Sequence, residues 1–109
     1  MFGVCLEMKQ KSNKLRKLEQ NRFSILTDDL SKCYACEHPY VELNEIYEGA
    51  KRQVSMKHGL VVPLCHTHHV RFHNDREFAL WFKRLGQLTF EETRTREEFI
   101  KIFHKSYLQ

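Results

Sequence analysis

Leu64-Cys65-His66-Thr67-His68-His69-Val70-Arg71-Phe72-His73 is the stretch on which the reading of this chain turns. Cys65 and His68 stand with two residues between them, and the same gap separates Cys33 from Cys36 earlier in the chain. Zinc takes four tetrahedral nitrogen or sulfur ligands, and two such short-spaced pairs on separate turns let all four side chains reach one ion. His66 and His69 also flank Cys65, but the gap of two matches the first pair and favours His68. The expected structural zinc set is therefore Cys33, Cys36, Cys65 and His68. Cys5 stands apart and is expected to be a spare thiol.

Around this centre the elements follow from local pattern. Val61 to Leu64 is a short apolar run ending at Cys65 and reads as a strand. Tyr40 to Tyr47 alternates with apolar Val41, Leu43 and Ile46 and reads as its partner, broken by Gly49-Ala50-Lys51-Arg52. Phe23 to Leu26 is short and β-prone, so a further strand is expected before the first cysteine pair. After Cys65 the signals turn helical. Asn74-Asp75-Arg76-Glu77 has the form of a capping box, with Phe78, Leu80, Trp81, Phe82, Leu85 and Leu88 recurring behind it at helical spacing. Thr95-Arg96-Glu97-Glu98 repeats the signature before Phe99, Ile100, Ile102 and Phe103. Those aromatics are expected to be core.

Leu6 to Arg22 has neither glycine nor proline and predicts a further helix. Its charge is lopsided, with Lys9, Lys11, Lys14, Arg16 and Lys17 around a thin stripe of Leu6, Leu15 and Leu18. A phosphate-facing arm and a plain solvated helix both fit that pattern.

The 109 residues suit one domain, read as a basic helix over 1–22, zinc knuckles with two strands and a helix over 23–74, and two helices over 75–109. A formal charge of +4 and a pI of about 8.9 agree with a nucleic-acid partner without requiring one. A 29% share of charged residues and a mean hydropathy of -0.59 indicate a soluble chain. No apolar run approaches the ~18 residues of a membrane span, and no signal peptide is recognisable. An intracellular, cytoplasmic protein with reduced cysteines is expected.

With the zinc pairs, strands and helix in this order, Leu64 to His73 resembles the helix of the HNH, or ββα-metal, endonucleases that carry an extra zinc. Tyr47-Glu48-Gly49 with Lys51-Arg52, the Gly59-Leu60 entry to the second strand, and Arg96-Glu97-Glu98-Phe99 through Tyr107-Leu108 are more specifically similar to the phage recombination-dependent nuclease branch. The likeness runs from about Lys32 to Leu108 and leaves the basic N-terminal helix outside.

This resemblance implies an α+β fold with a small zinc-stabilised ββα core. It also implies a DNA endonuclease or nickase using Mg²⁺ or Mn²⁺, held by His69 and His73 of the helix and by Asn44 at the strand end. Asn44 and Glu45 occupy the places where relatives put a ligand and a general base. Members usually carry His-His, Asp-His or His-Glu there, so this chain lacks the strand-end imidazole. Glutamate starts near pKa ~4.3, below the value that suits proton abstraction unless burial raises it. Arg52, Lys51, Lys14 and Lys17 are the expected contacts to DNA phosphate. The competing expectation is a degenerate module that keeps its zinc and basic surface and serves as a DNA-binding or protein-binding accessory factor, with a protein partner in recombination or in the host.

Overall fold

The computed structural model describes residues 12–108. Its elements are α1 (Asn13–Gln20), β1 (Glu42–Glu45), a 3-10 turn (Gly49–Lys51), α2 (Arg52–Lys57), β2 (Val61–Leu64), α3 (His66–Asn74), α4 (Arg76–Phe90) and α5 (Arg96–Phe103). The described residues thus form a small α+β fold of five α-helices and one two-stranded sheet. No helix among them is long and apolar enough to cross a membrane.

β1 and β2 pair antiparallel, with Glu42 opposite Leu64, Asn44 opposite Val62 and Glu45 opposite Val61. The chain between them is a compact corner. Ser55 accepts the Tyr47 backbone N–H at 3.2 Å and donates its hydroxyl to the Leu60 carbonyl at 2.6 Å, so one buried side chain closes the loop from both ends. This corner contains α2, a helix that the sequence pattern did not predict, because a six-residue segment with two cations shows no apolar period.

The first expected strand is absent. Phe23 to Leu26 runs irregularly, tied to the corner by Ile25 N–H donating to the Gly59 carbonyl at 2.8 Å. Gly59 is left-handed, with φ of 71°, and the Phe23 ring lies where its Cβ would be. Tyr40 to Tyr47 contributes only Glu42–Glu45 to the sheet. Of the expected N-terminal helix, Asn13–Gln20 is helical and capped by Ser12, whose hydroxyl accepts from Leu15 N–H at 3.0 Å. Leu6, Lys9 and Lys11 lie outside the described residues, as does Cys5.

The helical predictions after Cys65 match closely. Thr95 and Glu98 form the reciprocal capping box at the start of α5. At α4 the cap is Asp75, one residue later than the sequence signature suggested, and its carboxylate accepts from Glu77 and Phe78 N–H.

The core gathers Ile46 and Tyr47 after β1, Leu60 just before β2, Val62 and Leu64 within it, Phe72 of α3, Phe82 and Phe90 of α4, and Phe99 and Phe103 of α5. Tyr47 is its hub. Its ring lies 4.5 Å from Phe103, 5.4 Å from Tyr107 and 5.6 Å from Phe99, while its hydroxyl donates to the Lys83 carbonyl at 2.6 Å. Phe82, Phe99 and Phe103 are buried as expected, whereas Trp81, Leu88 and Ile100 from the same stripes are exposed.

Candidate metal centre

The turn at Cys33 places the first pair of ligands. Cys33 N–H donates to the His38 carbonyl at 2.9 Å and Glu37 N–H to the Cys33 carbonyl at 2.7 Å, with Glu37 left-handed at φ 65°. Tyr34 N–H donates to the Pro63 carbonyl at 2.9 Å, which fastens the knuckle to β2. The second pair sits where β2 becomes α3. Cys65 is the extended N-cap residue, and one turn of helix brings His68 back over it.

Cys33, Cys36, Cys65 and His68 consequently converge, with all four ligand atoms within 4.8 Å of one another. The Cys36 and Cys65 sulfurs are 3.7 Å apart, and His68 Nδ1 lies 3.2 Å from Cys65 Sγ and 3.6 Å from Cys33 Sγ. A tetrahedron with Zn–S bonds of ~2.3 Å and Zn–N bonds near ~2.0 Å has edges of roughly 3.3–3.8 Å, so the donor set fits zinc in both chemistry and spacing. The His68 ring stacks on Phe78 with centroids 5.8 Å apart, which helps hold its orientation.

Electrostatics agree with a cation at this point. Burial pushes the Cys33 thiol up, but the backbone N–H groups of Cys65, Cys36 and Ala35 outweigh it and bring the thiol down to about 6. At Cys36 the His38 N–H favours the thiolate, yet burial and the neighbouring sulfurs of Cys33 and Cys65 leave that thiol raised. Thiolates this close would repel one another, and a cation between them would remove the conflict.

A second constellation lies along α3. The rings of His69 and His73, one helical turn apart, have centroids 4.9 Å from each other. Each Nδ1 is turned to a different carboxylate. His69 meets Glu42, and His73 lies 3.1 Å from Glu48. The other Glu42 oxygen is 3.3 Å from His66 Nδ1, and the His69 and His66 contacts together hold the Glu42 carboxyl below the usual carboxylate range. Among the described residues, only the Cys₃His set brings three or more cysteine, histidine or carboxylate donors within mutual reach of one ion.

Strand alternation explains which β1 residues face α3. Glu42 reaches the α3 histidines, so Asn44 shares its side of the strand and Glu45 points the other way. Asn44 is buried, and its Nδ2 has no hydrogen-bond partner. Glu45, expected beside the histidines, is held elsewhere: Oε1 accepts from Arg52 Nε at 2.8 Å, and Oε2 lies 3.1 Å from an Arg22 nitrogen. Arg52 also binds Glu19 of α1. Two carboxylates therefore occupy the guanidinium that was expected to meet DNA phosphate. Lys51 is likewise engaged within the chain, with Nζ 3.0 Å from His104 Nδ1 and 3.4 Å from the Ile102 carbonyl. Lys14 and Lys17 remain exposed along α1 and, with Lys57, line a groove that has no carboxylate in its wall.

Glu42 and Glu48 were missed in the sequence, and His66 was weighed only as an alternative zinc ligand. The alternation that places Asn44 on the α3 side also places Glu42 there, so that signal was present. Glu48 lies beyond the strand, where alternation no longer applies. No family model, curated protein or solved structure matches the chain.

Proposed function

We propose that this chain is a phage-type HNH endonuclease or nickase that hydrolyses DNA phosphodiester bonds with a divalent cation and carries a separate structural zinc. The observation supporting this reading most directly is the pairing of His69 with Glu42 and of His73 with Glu48, side by side on the helix that leaves the zinc knuckle. A histidine that ligates metal usually gives its other ring N–H to a carboxylate, which fixes tautomer and orientation. With each Nδ1 so occupied, Nε2 of His69 and of His73 is the nitrogen free to hold Mg²⁺ or Mn²⁺. When bound, such an ion supplies charge neutralisation at the scissile phosphate.

The chain's own groups supply the rest. Glu42 and Glu48 orient the two imidazoles, and Lys14 and Lys17 draw in the phosphate backbone. Glu45, engaged by two arginines, serves to anchor the strand.

The accessory-factor reading keeps one specific support: the strand end offers an unpartnered amide at Asn44 and no imidazole. Incubating the zinc-loaded protein with supercoiled, linear and single-stranded DNA, with and without Mn²⁺ or Mg²⁺, separates the two readings. The nuclease reading expects metal-dependent nicking or cutting that is abolished in His69→Ala and His73→Ala. It also expects faster cleavage in Asn44→His, because a positioned general base is worth about 10²–10⁴ in rate. DNA binding without cleavage in any of these proteins favours the accessory factor.

A further inference from the structure

A second cationic groove lies on elements that the proposed cleavage site does not use. It has a volume of about 390 Å³ and is lined by Arg76, Glu77, Ala79, Leu80 and Lys83 of α4 together with Lys105 and Tyr107 of the C-terminal tail. Three cations thus face one carboxylate, and no carboxylate among the described residues forms an ion pair with Arg76, Lys83 or Lys105.

The groove is preformed. Tyr107 N–H donates to the Oε1 of buried Gln87 at 2.7 Å, and Arg84 Nε donates to the Tyr107 carbonyl at 3.2 Å, so the tail is fastened to α4 through both backbone polar groups of one residue. The Tyr107 ring then gathers two ammonium groups, Lys105 Nζ at 4.8 Å and Lys83 Nζ at 5.9 Å from its centroid. A ring quadrupole attracts a cation without neutralising it. Both lysines are therefore drawn to one ring that leaves their charge unneutralised, and an anion in the groove would complete the arrangement.

We propose that this groove binds the phosphodiester backbone of DNA, independently of any divalent cation. Phosphates recur along every strand, so a backbone lying in the groove presents a series of anions to its three cations. Charge complementarity selects this occupant, since the groove is cationic and the whole chain carries +4. The inference rests on the DNA-directed reading above but not on cleavage.

The test is anisotropy of a fluorescent DNA duplex without divalent ions, from ~50 to ~200 mM salt, comparing the zinc-loaded protein with Lys83→Gln/Lys105→Gln. Each phosphate contact contributes ~0.9 to the log-log salt slope, so the double variant should show a slope shallower by about 1.8 and weaker binding at low salt. Arg76→Gln/Lys105→Gln, in which both residues are exposed, gives the same reading if Lys83→Gln disturbs folding. Unchanged affinity and slope in variants that keep zinc and circular dichroism would overturn the groove while leaving DNA binding through α1 intact. Absence of DNA binding by the natural protein would overturn the groove and the DNA-directed reading together. Binding of poly-glutamate that is lost in the variant while DNA binding persists would assign the groove to an acidic protein segment and overturn the proposal.

Discussion

At Glu45 the chemistry of a residue is set by what surrounds it. A glutamate at a strand end beside histidines invites a catalytic reading, but its two oxygens face Arg52 and Arg22, with side-chain exposures of 11% for the acid and 34% and 19% for the bases. Removing one partner from such a cluster leaves charge uncompensated in a poorly solvated place. Glu45→Gln is expected to lower stability by about 1–3 kcal/mol, read as a lower urea midpoint with zinc content unchanged. A normal midpoint would mean that the carboxylate does not anchor the strand. Asn44 is the complementary case: its Nδ2 is buried without a hydrogen-bond partner among the described residues.

Among the elements, α4 shows how a glycine sets a packing distance. Gly86 lies in the middle of the helix, where alanine would normally be favoured by about 1 kcal/mol. A Cβ there would stand 2.9 Å from the Tyr47 hydroxyl and 3.4 Å from Ile46 and Leu60. Because the Tyr47 ring is wedged among Phe99, Phe103 and Tyr107, it has little room to yield. Gly86→Ala should therefore destabilise by about 1–3 kcal/mol despite its helix propensity, measurable as a fall in thermal midpoint. A rise in the midpoint would show that the hairpin and α4 pack less tightly.

The same scale shows what was readable from residues alone. α4 and α5 carry long apolar periods and capping signals, and β2 is an apolar run closed by a ligand, so these were legible. The Cys₃His set was legible because two short gaps recur. Phe23 to Leu26 misled because β-propensity describes a residue's fit to a pleated surface, and here the neighbouring surface is the Gly59 corner. α2 was silent because six residues are too few to show a period. The carboxylate partner of His73 comes from the turn after β1 meeting α3, a tertiary juxtaposition that no local spacing encodes, whereas Glu42 was open to the alternation of β1.

Over the described residues, the Cys₃His set joins a stretch without regular secondary structure to the helical half of the fold. The stretch from Thr27 to Tyr40 contains neither helix nor strand, and Cys33 is its one buried residue. One ion held by Cys33, Cys36, Cys65 and His68 would fasten that stretch to the start of α3. Structural zinc contributes an apparent ~10–16 kcal/mol, as large as the ~5–15 kcal/mol net stability of an ordinary domain. Cys36→Ser should accordingly lose the metal and the cooperative fold, whereas Cys5→Ser should change neither.

The most direct measurement is the metal content of protein purified without chelator, by native mass spectrometry, followed by circular dichroism through chelation and zinc readdition. The account predicts one zinc ion per chain, collapse of the cooperative thermal transition on chelation, and its return with zinc. Metal-free protein with an unaltered transition would contradict it.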